Sequence, residues 1–326
     1  MEIPSNDPNG GRALFRWSLF IVLFLSGAAS LAWGMHWVGE RATPPAATPF
    51  AEDRIDHHPA AIGVGIALLS ASVLFLLIHR REAGRWREEM TAFGNAVDGL
   101  SPRQRKIDLA LASILGLFLE VVLIRWHGAE FRACAYLKNI TLLACFLGLG
   151  LGFARARRPA VSFPIVLLLL AAQVMTIDVL SLLDADRAVR NPLDGEVFWG
   201  IGHITTALQA CIFYGFFAAL FVSTIAIFIP IGQLTGRLMD ASRPISSYTI
   251  NIAGSIVGVV LFALVSWLWL PPPVWFAVAA FIALWLMRPS RRGLCLSGLL
   301  SVVMIGWLGF EPRPSVKNVY SPYQRL

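Results

Sequence analysis

The chain is dominated by a succession of apolar runs, most of them as long as a membrane-spanning helix. About 20 apolar residues cross the hydrocarbon core of a bilayer. Only 14% of the 326 residues are charged, against about 25% in soluble domains. We therefore predict an all-α polytopic transmembrane helix bundle of about eight or nine spans. The predicted spans lie near residues 13–37, 59–79, 107–126, 133–153, 161–183, 200–232, 247–270, 273–288 and 293–310.

The basic residues between these spans predict the orientation. With the N-terminus placed in the cytoplasm, the loops on that side carry 17 Lys and Arg residues and the loops on the other side carry nine. Cytoplasmic loops are enriched in Lys and Arg, so we expect a multi-pass protein of the cytoplasmic (inner) membrane with a cytoplasmic N-terminus. The net charge of +7 is explained by these loops. The expected partner is therefore the lipid bilayer and not a nucleic acid.

One cytoplasmic segment, 80–106, is long enough to hold structure of its own. Its sequence "RREAGRWREEMTAF" predicts a short helix on the cytoplasmic face. Trp86, Met90 and Phe93 are expected to face the membrane or the bundle, since amphipathic helices of this kind lie in the interface plane.

The predicted third span contains ionisable residues in the stretch "LEVVLIRW". A charge at the centre of a membrane helix costs about 2.5–3.5 kcal/mol or more. Glu120 and Arg125 are five residues apart, which separates them by about 140° around a helix. They are not an i,i+4 pair, so Glu120 needs a partner from another helix.

Polar residues of the following spans are predicted to lie at the depth of Glu120. Counted from the outer ends of the spans, they form one polar level in the outer leaflet, to which four helices contribute. Intramembrane ionisable residues of this kind mark ion or proton sites by default. The predicted intramembrane polar site comprises Glu120, Arg125, Lys138, Asn139, Asp178 and His203, with Gln209 a turn and a half deeper than His203.

Two interpretations of this level compete. In the structural one, Glu120 and Lys138 neutralise each other, and the neighbouring polar groups complete the hydrogen bonds. In the functional one, the surplus carboxylate of Asp178 forms a cation or proton site in a cavity. The functional interpretation predicts a transporter-like domain that moves a small cation, for example a polyamine. The structural one predicts a helical membrane protein in which these groups only pair.

Two spans carry glycines at spacings that allow close approach of helices. A G-x-G-x-G string binds nucleotides only between a strand and a helix, whereas this one lies inside an apolar run. We therefore predict helix packing through small residues. The glycines concerned are Gly148, Gly150 and Gly152 in "GLGLG", and Gly254 and Gly258 in "NIAGSIVGVV".

Cysteines and histidines do not predict further chemistry. The four Cys residues lie in or beside apolar segments without C-x-x-C spacing, as expected of buried small side chains. Most His residues lie at span ends or in loops, so we predict no metal site. No Ser–His–Asp or metalloprotease pattern is present, and no catalytic residue is predicted.

Three segments resemble a family of bacterial multispanning membrane proteins that carry a spermidine-synthase-like (polyamine aminopropyltransferase) domain. "LEVVLIR" is similar to the family's "YEVVWLR", with Leu119 replacing the aromatic residue, and "LGLGLG" is similar to its "LGLALG". "YTINIAGSIVGVV" is similar to its "YAANTLGAILGALL" at Tyr248, Asn251, Gly254 and Gly258.

The third segment is "NVYSPYQRL", Asn318 to Leu326, which resembles the first strand of the aminopropyltransferase domain. The resemblance implies a transmembrane domain over 1–310 and a linker with the start of that catalytic domain over 311–326. It implies a membrane anchor or scaffold for a transferase domain not contained in this chain. Decarboxylated S-adenosylmethionine is expected only where that domain exists.

The resemblance conflicts with the predicted number of spans. A catalytic domain in the cytoplasm requires an even number of spans after a cytoplasmic N-terminus, and nine are counted. The weakest is 293–310, which could be re-entrant or lie along the surface. Alternatively, "PPP" at 271–273 joins two half-spans, or the following domain faces outward.

Overall fold

The computed structural model describes residues 84, 86–130, 134, 138–182, 207–241 and 243–309. Within these residues the structure is helical and contains no strand. The chain divides into two compact units, Met1–Glu82 with Val179–Ser223, and Ala83–Asp178 with Thr224–Leu326. Of the first unit, the structure describes only parts of two helices, 179–182 and 207–223. The predicted spans 13–37 and 59–79 lie outside the described residues.

The helices follow the predicted apolar runs closely, with shifted ends. A single 3-10 turn, Phe163–Ile165, precedes the fourth helix. In chain order the described helices are α1 (86–98), α2 (Pro102–Glu130), α3 (Lys138–Phe153), α4 (Val166–Leu182), α5 (Ala207–Asp240), α6 (Pro244–Trp267), α7 (Pro272–Leu286) and α8 (Arg291–Gly309).

Local sequence signals set several helix ends. At the start of α2 the hydroxyl of Ser101 accepts from the backbone N–H of Gln104, and the Gln104 side chain accepts from the Ser101 N–H, which is a capping box. Ser290 caps α8 by accepting from the Gly293 N–H at 3.1 Å. After α6 the backbone turns through Trp269, whose φ is 55°, and the following prolines cannot continue the helix.

Three described helical segments are long and apolar enough to cross a membrane: α2, Gly215–Asp240 within α5, and α6. The other apolar segments are shorter, at 15 to 17 residues, or about 22–26 Å at 1.5 Å per residue, against a hydrocarbon core of about 30 Å. The structure therefore supports an all-helical membrane protein. The count of eight or nine spans is not confirmed.

Helix α6 presents a wide apolar surface to its surroundings. Only 22% of its most apolar 18-residue stretch is buried, against 61% for α2. Because lipid tails are as apolar as these side chains, such a face is stable in a bilayer, whereas a soluble protein would cover it. The exposed apolar residues of α6 include Ile252, Ile256, Val257, Val259, Val260 and Leu264.

Helix α2 occupies a central position in the second unit, in contact with α3, α6 and α7. Phe118 meets the α6 residue Phe262 edge-to-face at 6.0 Å, and Trp126 meets Phe276 of α7 at 5.4 Å. Phe118, Trp126 and Phe276 are at most 1% exposed. Edge-to-face aromatic pairs of this kind add about 0.5–1.5 kcal/mol beyond area burial, so they help to fix α2 against both neighbours.

Candidate functional site

Glu120 lies inside the contact between α2 and α3. Its residue is 3% exposed, and its Oε2 has no hydrogen-bond partner among the described residues. Its charge lies near enough to the α3 residue Cys145, itself 0% exposed, to interact with it electrostatically. A buried carboxylate without a partner is strongly unfavourable and neutralises by taking up a proton.

His127 lies on the same side of α2, seven residues after Glu120. Seven residues turn a helix through two full turns to within about 20°, so both side chains face α3. His127 is 0% exposed, and its Nδ1 lies 3.2 Å from the hydroxyl oxygen of Thr141. Its Nε2 has no hydrogen-bond partner among the described residues. A span that ends at Trp126 would put His127 at the membrane boundary, so the sequence did not predict this buried position; α2 continues to Glu130.

Lys138 and Asn139 are not brought to Glu120. Both are exposed at the start of α3, and no ion pair joins Lys138 to Glu120. The reason is the register of the two helices. Because α2 extends to Glu130 and Thr141 faces His127, Lys138 lies beyond His127, and the α3 side chain that interacts electrostatically with Glu120 is Cys145. The structure therefore does not pair Glu120 with Lys138, and Cys145 lies seven residues, or about two helical turns, after Lys138 on α3.

Arg125 points away from Glu120 towards α7. Its guanidinium carbon lies 5.4 Å from the centre of the Trp275 ring, within the range of a cation–π contact. Trp275 is 1% exposed and meets Phe262 of α6 edge-to-face at 5.6 Å. Arg125 thus belongs to the α2–α6–α7 contact, on a different side of α2 from the polar pair.

The remaining members of the predicted polar level lie at the edge of the described residues or outside them. The backbone of Asp178 belongs to α4 and that of Gln209 to α5, but their side chains are not described. His203 lies outside the described residues. The prediction of a polar level that includes these groups stays a prediction.

Glycines allow α3 and α5 to cross at very short distance. A Cβ placed on Gly148 would lie 2.7 Å from the carbonyl oxygen of Ile225. A Cβ on Gly152 would overlap the Ile229 carbonyl oxygen and lie 2.6 Å from the Gln233 nitrogen. Gly150 differs, because it is exposed and a Cβ there would meet nothing within 4 Å in the described part of the chain.

The second pair of glycines brings α6 onto α2. A Cβ on Gly254 would lie 2.8 Å from the carbonyl oxygen of Ala110, and one on Gly258 would lie 2.5 Å from that of Ile114. Beside them the hydroxyl of Ser113 donates to the Asn251 side-chain oxygen at 2.8 Å. Close backbone approach with an interhelical hydrogen bond is the usual way in which membrane helices associate.

The basic segments of the second unit meet at one end of its helices, which we call the basic end (86–106, 154–162, 237–243 and 288–290). Arg237 of α5 donates to both carboxylate oxygens of Asp98 in α1, at 2.8 and 2.5 Å. It also donates to the carbonyl oxygen of Arg158 at 2.6 Å. Arg105 donates to the Ala241 carbonyl oxygen at 2.7 Å. These contacts hold the segments together although most are far apart in sequence.

Helix α1 is part of this basic end. Phe93 is 1% exposed and stacks on Phe163 with ring centres 6.0 Å apart. The backbone N–H of Val161 donates to the Met90 carbonyl oxygen at 3.0 Å. From the sequence, the apolar side chains of α1 were expected to face either the membrane or the bundle. In the structure the buried Phe93 faces the helices of the bundle.

A buried glutamine orders the turn between α3 and α4. The Gln233 side-chain oxygen accepts from the N–H and hydroxyl of Ser162, and its nitrogen donates to the carbonyl oxygens of Arg155 and Ala160. Partial burial, together with the charge of Arg158, lowers the pKa of Arg155 from its ordinary value. Gln233 thus satisfies four backbone or hydroxyl groups that the turn leaves open.

One ion pair lies deeper than the others. Arg288, in the turn after α7, places Nη2 2.9 Å from both carboxylate oxygens of Asp108. The side chain of Asp108 is 7% exposed and that of Arg288 is 36% exposed. This pair joins residues 180 positions apart, and the sequence analysis did not predict it.

The described residues contain no group of three or more His, Cys, Asp or Glu side chains that could hold a metal ion. Glu120, His127 and Cys145 therefore do not form a metal centre in this arrangement. What the α2–α3 contact offers chemically is a buried carboxyl oxygen and a buried imidazole nitrogen that have no hydrogen-bond partner among the described residues.

Comparison with protein-family models gave no match, and neither the curated proteins nor the solved structures gave one.

Proposed function

We propose that this chain is the integral membrane domain of a spermidine-synthase-like protein, and that it anchors or scaffolds an aminopropyltransferase-type catalytic domain. The carrying observation is a helical bundle with three segments long enough to cross a membrane, in which the stretches that resemble the family contribute to the central helix contacts. Glu120 and Arg125 lie on α2, and Gly254 and Gly258 bring α6 against α2.

The proposal places the basic end in the cytoplasm of a cell with a cytoplasmic (inner) membrane. The supporting observation is that Arg237, Arg105, Arg157 and Arg288 gather at one end of the second unit. Lys and Arg near span ends are retained on the cytoplasmic side. The first described span, α2, starts at this end.

The direction of α8 bears on where the catalytic domain lies. α8 begins beside Arg288 at the basic end and contacts α7, to which a four-residue connection joins it. Helices joined this tightly run antiparallel, so α8 leads away from the basic end. A cytoplasmic catalytic domain is therefore better supplied by a partner chain that meets the basic end than by a segment that follows α8.

Washed membranes from the native host test this proposal. With the gene intact, they are expected to transfer the aminopropyl group of labelled decarboxylated S-adenosylmethionine to a diamine. Deletion of the gene should remove that membrane-bound transfer, and reintroduction of the chain should restore it. Equal transfer by membranes with and without the gene would contradict the scaffold function.

A further inference from the structure

Three features of the second unit have no role in the scaffold proposal: the exposed arginines of the basic end, the Asp108–Arg288 pair and the polar atoms in the α2–α3 contact. The arginines make intramolecular ion pairs and backbone contacts, and the Asp108–Arg288 pair is satisfied within itself. In the α2–α3 contact, by contrast, Glu120 Oε2 and His127 Nε2 are buried without a hydrogen-bond partner among the described residues.

We infer that Glu120 is a proton-binding site inside the α2–α3 contact, and that its ionisation opens this contact to water. The inference does not rest on the scaffold function, because it follows from the burial of Glu120 and from the groups around it. Glu120 is only 3% exposed, and its Oε2 has no hydrogen-bond partner among the described residues.

In the described part of the chain, the helices packed around α2 offer no cation to Glu120. From α3 the facing titratable group is Cys145, and Lys138 lies exposed at the helix start. Helix α6 carries Tyr248 as its one titratable residue, 60% exposed, and α7 carries none. In α5 no ionisable residue occurs from 224 to 236.

Helix α2 itself does not supply a counter-ion either. Arg125 lies about 140° around the helix and contacts Trp275. His127, Glu130 and Asp108 are the other ionisable groups that α2 buries. Asp108 pairs with Arg288 at the basic end. In the closed contact Glu120 is therefore stable as the neutral acid, which can hold a proton without a counter-ion.

Loss of that proton changes the balance between closed and open contact. Glu120 lies ten residues, or about 15 Å along the helix axis, before the end of α2, and it is 3% exposed, so a charge there is costly. If opening relieves this cost, the equilibrium constant for opening the α2–α3 contact is about 100-fold larger when Glu120 is ionised than when it is neutral. Opening also supplies water to His127 Nε2, which has no hydrogen-bond partner among the described residues of the closed contact. Ionisation at alkaline pH therefore favours the open contact.

Cys145 is a built-in reporter of this opening, since it is 0% exposed and next to Glu120. The test uses the full chain in liposomes with Cys134, Cys211 and Cys295 replaced by Ser. The rate of alkylation of Cys145 by an uncharged maleimide is followed from mildly acidic to alkaline pH. Glu120→Gln keeps the shape of the neutral acid and cannot ionise.

The quantity to compare is the alkylation rate of Cys145 in the chain with Glu120 divided by its rate in the Glu120→Gln chain. We expect this ratio to be near one at mildly acidic pH and to rise well above one at alkaline pH. Taking this ratio removes the part of the thiol ionisation that both proteins share, and the Glu120 charge acting on the Cys145 thiol could only lower the ratio. A ratio at or below one throughout would overturn the inference, because a nearby negative charge in a closed contact only slows alkylation. Glu130→Gln is the matched control, a similarly buried acid on the same helix, and should keep the wild-type pH profile.

Infrared difference spectroscopy between mildly acidic and alkaline pH keeps the test independent of how well Glu120→Gln folds. The wild-type chain should lose a carboxylic-acid C=O band on alkalinisation, and Glu120→Asp should show the band at a shifted frequency. A wild-type chain in which no protonated carboxyl titrates would overturn the inference. Neither readout involves aminopropyl transfer, so a failure here is distinct from a failure of the scaffold function.

Discussion

Replacing Gly152 by leucine is expected to prevent folding of most of the protein. A Cβ at this position overlaps the Ile229 carbonyl oxygen and lies 2.6 Å from the nitrogen of Gln233. Those atoms are backbone of α5, which cannot rotate away as a side chain could. Overpacking costs about 1–3 kcal/mol, and more where the backbone must move. The yield of monodisperse protein by size-exclusion chromatography in detergent, and its apparent Tm, measure the effect.

Gly150→Leu is the matched control for that experiment. It lies on the same helix two residues away, is exposed, and would meet nothing within 4 Å among the described residues. A leucine there faces surroundings already lined by Leu147 and Leu151, both exposed. Yield and Tm should stay close to wild type. If Gly152→Leu and Gly150→Leu behave alike, the close crossing of α3 and α5 does not exist.

The second large effect is expected for Arg288→Ala. This change leaves the carboxylate of Asp108, whose side chain is 7% exposed, without its bidentate partner. Breaking a buried ion pair costs about 3–5 kcal/mol. Because Arg288 is 36% exposed, we expect the lower end, about 3 kcal/mol, measured as a loss of free energy of unfolding in mild detergent.

Variants of Asp108, alone and together with Arg288, distinguish the loss of the ion pair from the loss of other contacts that each side chain makes. Asp108→Ala should cost less than Arg288→Ala, because the arginine left behind can turn to water while it stays over the Trp285 ring. The double variant should be more stable than Arg288→Ala alone, since it contains no unpaired buried carboxylate. Arg157→Ala is the control, since Arg157 pairs with Asp240 on the surface and is 91% exposed; it should leave stability unchanged. Equal losses for Arg288→Ala and Arg157→Ala would contradict a buried role for Arg288.

The class of fold and the approximate helix positions could be predicted from the sequence, because the length of an apolar run is set by the bilayer and is local information. Helix ends were less accurate. The apolar run was expected to end at Trp126, but α2 continues to Glu130, since the residues 127–130 are compatible with helix even though they are not apolar. Because α2 is about one turn longer than expected, the predicted alignment of residues on α2 with residues on α3 was shifted.

The candidate site shows the same limit. Burial of Glu120 followed from its apolar surroundings in the sequence. Its neighbour did not, because the register of two antiparallel helices depends on how they pack and not on either sequence alone. Lys138 was expected at Glu120, whereas Cys145 is there. His127 could have been found by the i,i+7 spacing from Glu120, had the helix end been placed four residues later.

Long-range contacts at the basic end could not be predicted at all. Arg237 and Asp98 are 139 residues apart, and no local pattern links them. The transporter-like alternative also stays a prediction: Glu120 is buried and Lys138 is exposed, while the side chains of Asp178 and His203 are not described.

The most direct test is to measure the accessibility to maleimide of two single-cysteine variants, one with its cysteine at each end of the bundle. Arg157→Cys, 91% exposed at the basic end, and Trp269→Cys, 53% exposed between α6 and α7, are each placed in a chain whose native cysteines are Ser. With a membrane-impermeant maleimide on intact spheroplasts, Trp269→Cys should react at once and Arg157→Cys only after the membrane is permeabilised. Reaction of both sites in intact spheroplasts, or of Arg157→Cys alone, would contradict a membrane bundle with its basic end in the cytoplasm.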